Sequence, residues 1–210
     1  MDLSHPLRVV TPTLDGDILR ALAQAETEFT PPEIHRVVGE HSVHGIRKGL
    51  ERLVAQGVVL KRHAGRASLY QLNRAHLAAP AILELANMRP AFLALLREHI
   101  ARWSPPCEFA ALFGSAARGT MESSSDIDVF VVCPDSVDED DDAWDEQLVE
   151  LGQGVRAWTG NVANLLVFSA HDVHEASAHH DPILDSIRND GVVLFGDRNY
   201  LGHLRATAVN

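Results

Sequence analysis

One stretch constrains the fold of this chain more than any other: ALFGSAARGTMESSSDIDVFVV, residues 111 to 132. An apolar run ends at Gly114 and Ser115, a short helix is predicted over SAARGTM, and a second apolar run contains Asp126 and Asp128. Side chains two residues apart in a strand lie on the same face, so we expect these carboxylates to project together. Paired carboxylates beside a core repel each other and are costly to desolvate, and a bound cation would offset that cost.

This arrangement predicts a site for a metal-bound triphosphate. Oxygen ligands from Asp126 and Asp128 suit Mg²⁺, which usually keeps several waters and shares its other positions with nucleotide phosphates. Gly114 lets the backbone come close to a ligand. A helix that starts at Ser115 directs backbone N–H groups and partial positive charge at an anion. We therefore predict a phosphate cradle beside a pair of metal-binding carboxylates.

Charge divides the sequence into two halves of opposite balance. Residues 1–104 carry 13 Lys and Arg against 10 Asp and Glu, whereas residues 105–210 carry 5 against 19. This split predicts two units with different partners, of which the first could approach a polyanion and the second would repel one unless metal ions intervene. The acidic segment DSVDEDDDAWDE is predicted to be a solvated loop that leads into a helix.

Composition favours a globular protein located in the cytoplasm. With 46% hydrophobic and 22% charged residues, the chain can bury the core of one large or two small domains. No run of about 18 apolar residues occurs, so we expect no membrane partner. The first ten residues lack the sections of a signal peptide. The two cysteines form no metal-ligand pair, which favours a reducing cytoplasm.

The first half is predicted to form helices followed by a hairpin. Apolar residues at helical spacing indicate helices within LDGDILRALAQA, FTPPEIHRVVG and HSVHGIRKGLERLVAQG, and VVLKRHAGRASLYQLN indicates two strands around Gly65. From about residue 14 to 73, the sequence resembles the winged helix-turn-helix regulators of the arsenical-resistance and multiple-antibiotic-resistance types. This resemblance implies that the second helix of the pair enters the DNA major groove and that the wing neutralises phosphates.

The resemblance implies that seven residues contact DNA, namely Ser42, His44, Arg47, Lys48, Lys61, Arg62 and Arg66. Binding of this kind is expected to depend on a homodimer. The weak positive balance of the first half leaves an alternative open, because winged helices also serve as protein-interaction or dimerisation modules.

In the second half, strands alternate with helices, which indicates an α/β domain. Three short motifs follow one another between the two apolar runs, namely Gly-Ser, Ala-Arg-Gly and Ser-Asp-x-Asp. Together they are similar to the signature of the DNA polymerase beta-like nucleotidyltransferase superfamily. The nearest likeness is to its small, minimal members, which include antitoxin-type proteins that adenylylate a partner, and it spans roughly residues 91 to 197. We therefore expect an α+β chain, with a winged helix-turn-helix domain over 1–75, connecting helices over 76–104 and an α/β nucleotidyltransferase domain with a mixed sheet over 105–210.

The resemblance implies roles for five residues. Gly114 and Ser115 would hold the β- and γ-phosphates of a nucleoside triphosphate, with ATP expected. Asp126 and Asp128 would be the catalytic pair that binds Mg²⁺, and Arg118 would neutralise phosphate charge or hold the loop to Asp126. The implied reaction is in-line attack of a hydroxyl on the α-phosphorus, with transfer of AMP and loss of pyrophosphate. The acceptor could be a small molecule, a protein side chain or a nucleic acid end.

One position departs from that superfamily. Its catalytic members usually carry a third carboxylate on a neighbouring strand, and the matching position here is Asn164. An amide can ligate a metal but is no useful base. Either the alignment is off by one or two residues, or another carboxylate substitutes, or the site binds nucleotide without turnover. The last case would make the chain a DNA-binding transcriptional regulator with a degenerate nucleotide-sensing domain. An antitoxin-like protein, whose acidic half binds a basic toxin, is a further alternative.

Overall fold

The computed structural model describes residues 1–39, 41–137 and 141–202, so part of the predicted acidic loop, residues 138–140, lies outside the described residues. A short 3-10 helix, Pro6–Val9, opens the chain. The helices that follow are α1 (Leu14–Ala23), α2 (Pro31–Val38), α3 (Val43–Ala55), α4 (Ala79–Ala86), α5 (Met88–Ile100), α6 (Gly114–Arg118), α7 (Asp142–Thr159), α8 (Ala170–Ala178) and α9 (Pro182–Asp190). The strands are β1 (Val59–Ala64), β2 (Ala67–Leu72), β3 (Phe109–Phe113), β4 (Ile127–Cys133), β5 (Ala163–Ser169) and β6 (Val192–Phe195).

Contacts divide the chain into two units between Arg89 and Pro90. The N-terminal unit comprises Asp2 and Ser4–Arg89, and the C-terminal unit comprises the residues from Pro90 onward together with Met1 and Leu3. The division falls within the segment predicted to connect two domains.

Three helices and an antiparallel hairpin make up most of the N-terminal unit. Thr30 and Glu33 form a capping box that starts α2, and the Ser42 hydroxyl accepts a hydrogen bond from the Gly45 N–H to start α3, as polar N-caps commonly do. Gly65, with a φ of 59°, makes the turn between β1 and β2. The core of this unit is formed by apolar side chains from all of these elements, among them Ile18, Leu22, Ile34, Ile46, Leu50 and Tyr70. The predicted elements are therefore present, while their assignment as a winged helix stays a prediction.

The long helical segment is predicted to be interrupted near Pro90, and it breaks at Asn87, between α4 and α5. Pro90 itself lies in the first turn of α5. Proline is tolerated there because backbone N–H groups of a first turn have no acceptor within the helix. No single helix among the described residues is long and apolar enough to cross a membrane, and α4 with α5 meets that test only as a bent pair.

A four-stranded sheet forms the centre of the C-terminal unit, in the order β5-β4-β3-β6. The β4–β5 pair is parallel and the other two pairs are antiparallel, so the predicted mixed sheet is confirmed. Ile127, Val129 and Val131 pack into one core with residues of α5 and α7, whereas Phe109 and Phe130 pack into another with residues of α8 and α9. Helices therefore cover both faces, and alternate strand residues are buried on each side.

Candidate active site

The Asp128 carboxylate lies at the point where three strands of the sheet meet the turn at Gly114. Asp128 is opposite Phe113 in the antiparallel β3–β4 pair and opposite Asn164 in the parallel β4–β5 pair. The Asn164 side-chain amide donates a hydrogen bond to Asp128 Oδ1 at 3.0 Å. The sequence-based placement of Asn164 beside the aspartate strand therefore agrees with the observed register.

Gly114 is in direct contact with the same carboxylate. A Cβ atom built on Gly114 would lie 2.2 Å from Asp128 Oδ2, which is closer than any side chain can come. Gly114 also has a φ of 69°, in the left-handed region that favours glycine. The turn therefore requires glycine for two reasons, backbone conformation and the approach of the carboxylate. As a result, one oxygen of Asp128 faces the glycine backbone and the other faces the Asn164 amide.

Asp126 lies one residue before β4, in an exposed position. Its neighbour Ile127 already donates a backbone hydrogen bond to the Val162 carbonyl at 2.9 Å, so Asp126 stands at the rim of the sheet. The loop before it is anchored by Asn161, which is only 5% exposed. The Asn161 amide donates to the backbone carbonyls of Ser123 at 3.1 Å and Ser125 at 2.8 Å.

Asn161 has a positioning role that the sequence does not predict. It follows Gly160, which ends α7 in the left-handed conformation, and an asparagine after such a glycine resembles many ordinary turns. The hydrogen bonds that matter join positions 36 and 38 residues apart. Only the folded structure brings them together.

The short helix α6 presents Arg118 to solvent. α6 starts at Gly114, one residue before the predicted start, and ends at Gly119 in the left-handed conformation. Ser115 is half-buried, and its carbonyl accepts a hydrogen bond from the Thr120 N–H at 3.0 Å. Arg118 is exposed and forms no ion pair with the described residues. Both roles predicted for Arg118, neutralising phosphate charge and holding the loop to Asp126, therefore stay predictions.

These features lie within one segment of the chain that matches a known protein family. Residues 95–171 match the family described as nucleotidyltransferase domain. The matched segment contains the turn at Gly114, both aspartates and Asn164, so it includes the whole candidate site. No curated protein shows significant similarity to the chain.

Three solved structures share a partial likeness with the chain. A toxin-antitoxin crystallised with AMP-PNP aligns at a TM-score of 0.37 and 22% identity, over 58% of this chain and 83% of that chain. Two mutant forms of the MntA-HpeT toxin-antitoxin each align at a TM-score of 0.36, one with 19% identity over 58% and 83% of the chains and the other with 22% over 57% and 81%. At TM-scores below 0.5, these alignments are too distant to inform the ligands or partners of this chain.

The groups of the candidate site that could bind a cation are two carboxylates and an amide. Within the described part of the chain, no group of three or more His, Cys, Asp or Glu side chains is placed to hold a metal ion. Asp126 is exposed and Asp128 half-buried, so both can reach a solvated cation. Mg²⁺ is commonly held by one or two carboxylates with water and phosphate oxygens in the remaining positions. The residues present therefore fit Mg²⁺ as a partner of a triphosphate, although they would not form a closed protein cage.

The predicted DNA-binding residues of α3 and the hairpin tip are exposed. His44, Arg47 and Lys48 on α3, and Arg66 at the hairpin turn, form no ion pair within the part of the chain that the structure describes. Ser42 is also exposed, but its hydroxyl caps α3. The exposed face of α3 therefore carries two cations, Arg47 and Lys48, that could contact an anionic partner.

The other two cations of the hairpin are engaged within the unit. Lys61 Nζ lies 2.7 Å from Glu51 Oε1, and the Tyr70 hydroxyl donates to the same oxygen at 3.0 Å. Hydrogen bonds from Lys61 and Tyr70 hold the pKa of the Glu51 carboxyl below its ordinary value. Arg62 likewise pairs with Glu28 and lowers the pKa of that carboxyl through its hydrogen bonds. The predicted phosphate contacts of Lys61 and Arg62 would therefore have to compete with carboxylates of the same chain.

Proposed function

We propose that the C-terminal unit transfers a nucleoside monophosphate, AMP from ATP, to a hydroxyl acceptor. The observation that carries this proposal is the contact between the Gly114 backbone and the Asp128 carboxylate. A turn that admits no side chain, next to two carboxylates at a sheet rim, suits a triphosphate whose charge is neutralised by a cation. The match of this segment to the nucleotidyltransferase domain family supports the same chemistry.

Each residue of the site has a proposed role. Gly114 and Ser115 bind the β- and γ-phosphates, because their turn lets the backbone approach closely. Asp126 and Asp128 hold Mg²⁺, which would supply charge neutralisation at the phosphates when bound. Arg118 adds a positive charge from the exposed end of α6. Together these groups would position the triphosphate for in-line attack.

In the proposed reaction, the acceptor hydroxyl oxygen forms a bond to the α-phosphorus while the bond from that phosphorus to the β-phosphate bridging oxygen breaks. Pyrophosphate leaves with the bonding electrons. Asn164 carries no negative charge and cannot take up the hydroxyl proton, so that proton passes to water. We therefore expect turnover to be slow compared with an enzyme that has a carboxylate at this position.

The proposal is tested by incubating the protein with α-labelled ATP and Mg²⁺, with and without cell extract. We expect label transfer and pyrophosphate release that disappear in the Asp126→Ala/Asp128→Ala double variant. Glu122→Ala removes an exposed carboxylate from the same loop and is the matched control, which should retain activity. Transfer that survives the double variant would contradict the assigned site.

A nucleotide-sensing function is the second candidate, and the hydrogen bond between Asn164 and Asp128 favours it. The amide occupies one carboxylate oxygen and supplies no base, so triphosphate could bind without reacting. Calorimetric binding of Mg²⁺-ATP without pyrophosphate release would support the sensor over the enzyme. If Asn164 occupies the position of the third carboxylate, Asn164→Asp should raise turnover above that of the parent chain. Unchanged turnover in this variant would contradict that assignment.

We further propose that the N-terminal unit contacts DNA through α3 and the hairpin tip, in the manner of a winged helix. The exposed cations Arg47, Lys48 and Arg66, which form no ion pair with the described residues, support this proposal. Arg47→Ala/Lys48→Ala should weaken binding to random duplex in fluorescence anisotropy at low salt, and should reduce the slope of the salt dependence by about one for each phosphate that is no longer neutralised. Arg102→Ala removes an exposed cation from the other unit and should leave binding unchanged. No detectable binding at low salt would exclude this function.

A further inference from the structure

The two edges of the central sheet differ in how they are protected. The β6 edge has only four residues, and its register with β3 shifts between Ala110 and Ala111. The Arg97 guanidinium donates a hydrogen bond to the Val193 carbonyl at 3.1 Å. Short length, an irregular register and a covering charged side chain are the usual means by which proteins prevent another strand from pairing with an edge. The β6 edge is therefore closed.

The β5 edge has none of these features. Its seven residues, ANLLVFS, include no charged residue and no proline, and its register with β4 is continuous from Ala163 to Ser169. The Ile127 N–H donates to the Val162 carbonyl, which determines which residues of β5 direct their backbone groups toward β4. The backbone groups of Ala163, Leu165 and Val167 therefore point away from β4. Within residues 1–39, 41–137 and 141–202, these outward groups have no hydrogen-bond partner.

The surface on both sides of the β5 edge is suited to association. At its N-terminal end, Val149 and Val162 are 56% and 52% exposed. They line a groove with Gly152, Gln153, Arg156 and Ala163, in which Arg156 is the charged residue. At the C-terminal end, a second groove beside Val167 and Phe168 is lined by acidic residues, namely Asp172, Glu175 and Asp181. Side chains of Asp128 and Asn164 project from the face opposite to that of α7, so the first groove is separate from the candidate active site.

We infer that β5 pairs in antiparallel fashion with β5 of a second copy of this chain, which joins two sheets into one of eight strands. An uncharged strand can pair with itself around a two-fold axis without placing like charges opposite each other. The two-fold axis is perpendicular to the joined sheet, so the α7 helices of both copies lie on one face, and each presents the exposed Val149 beside the seam. Because the β6 edge is closed, association ends at a dimer. This inference does not depend on nucleotidyl transfer.

Sedimentation velocity and light scattering of the full chain over a concentration series test the proposal. We expect a species of twice the 23.0 kDa chain mass. Val149→Lys/Val162→Lys changes two exposed side chains beside the edge and should raise the dimer dissociation constant at least about tenfold. Leu77→Lys alters a residue that is 96% exposed in the other unit, and this control should dimerise like the parent chain. Tryptophan fluorescence and circular dichroism establish that each variant is folded.

A second variant and a second measurement address the strand itself. Val167→Pro removes an outward N–H without removing a hydrogen bond to β4, and should also yield monomers if it folds. Amide hydrogen exchange at Leu165 and Val167 should slow as the concentration rises. A parent chain that stays monomeric at all concentrations would overturn the inference. The same holds if the β5 edge of that monomer binds a basic peptide instead of a second copy. A dimer that the lysine pair leaves intact, or one without protection of these amides, would overturn it as well.

Discussion

Replacing Gly114 by alanine tests directly whether this glycine determines the position of the Asp128 carboxylate. The new Cβ would lie 2.2 Å from Asp128 Oδ2 and 3.0 Å from its Cγ, so one of the two groups must move. The φ of 69° costs a non-glycine residue about 1–2 kcal/mol. Forcing an extra carbon against a packed group typically adds about 1–3 kcal/mol. We expect Gly114→Ala to lower the free energy of unfolding by about 2–5 kcal/mol in total, and to weaken Mg²⁺-ATP binding.

Gly119 offers a matched control at the other end of the same short helix. It has a φ of 72° but no atom within 4 Å of its built Cβ, so Gly119→Ala should cost only the conformational part, about 1–2 kcal/mol. In an Asp128→Ala background the carboxylate is absent and only the Cβ of residue 128 remains, 3.3 Å from the built Cβ, so the cost of Gly114→Ala should fall close to that of Gly119→Ala. The difference between the two backgrounds gives the coupling energy of the glycine and the carboxylate.

The sequence provides a selective probe for these measurements. Its three tryptophans, Trp103, Trp144 and Trp158, all lie in the C-terminal unit, and Trp103 packs edge-to-face against Trp144. Tryptophan fluorescence during urea denaturation therefore reports the unfolding of the unit that contains the site, whatever happens in the other unit. Equal destabilisation by the two alanine substitutions, or a Gly114→Ala cost that is unchanged without the Asp128 carboxylate, would refute the argument.

Other predictions follow from burial and hydrogen bonding in the same unit. Burial raises the pKa of the Cys107 thiol to about 12 and raises that of Cys133 as well, so at pH near 8 a thiol reagent should label the half-buried Cys133 slowly and Cys107 only after unfolding; rapid labelling of both would contradict this. Hydrogen bonds from the Ser169 N–H and hydroxyl lower the pKa of Asp172, so the carboxylate stabilises the start of α8 above its unfolded pKa and loses that effect as acid protonates it. Asp172→Asn should cost about 0.5–1 kcal/mol at neutral pH, with the difference from the parent chain shrinking as the pH falls below about 4 and vanishing only below the lowered pKa of Asp172. Asn161→Ala leaves two loop carbonyls without their donor and should cost about 1–3 kcal/mol; a loss within the error of urea denaturation would argue against its anchoring role.

The order of elements around the site could be predicted because local signals determine it. Gly114 stands between an apolar run and a short helical segment, and the second apolar run starts after Asp126, so strand, turn, helix and strand follow from the sequence. The position of Asn164 could be predicted from the resemblance to the nucleotidyltransferase superfamily, and the observed register places it opposite Asp128. The pattern of neighbouring residues is sufficient to predict a strand, turn or helix that depends only on those residues.

Interactions between distant positions could not be predicted in the same way. The pairing of Arg62 with Glu28 and of Lys61 with Glu51 joins residues 34 and 10 positions apart, and no periodicity identifies such partners. The sequence predicts a break near Pro90 because proline is a strong helix breaker, but it does not show that the break lies at Asn87 and that Pro90 is accommodated in the first turn of α5. In each case, tertiary packing decides between options that local preference leaves equal.

The position of β5 at the end of the sheet has a consequence for the chemistry. Within one chain, β5 is aligned only by its pairing with β4, and slippage by one residue would turn Asn164 to the α7 side and place Ala163 or Leu165 opposite Asp128. The burial of Leu165 and Val167 against the α7 core opposes such slippage. Two aliphatic side chains on the α7 face thus determine which side chain lies opposite the Asp128 carboxylate, and under the proposed function enlarging or shrinking them should alter nucleotide binding.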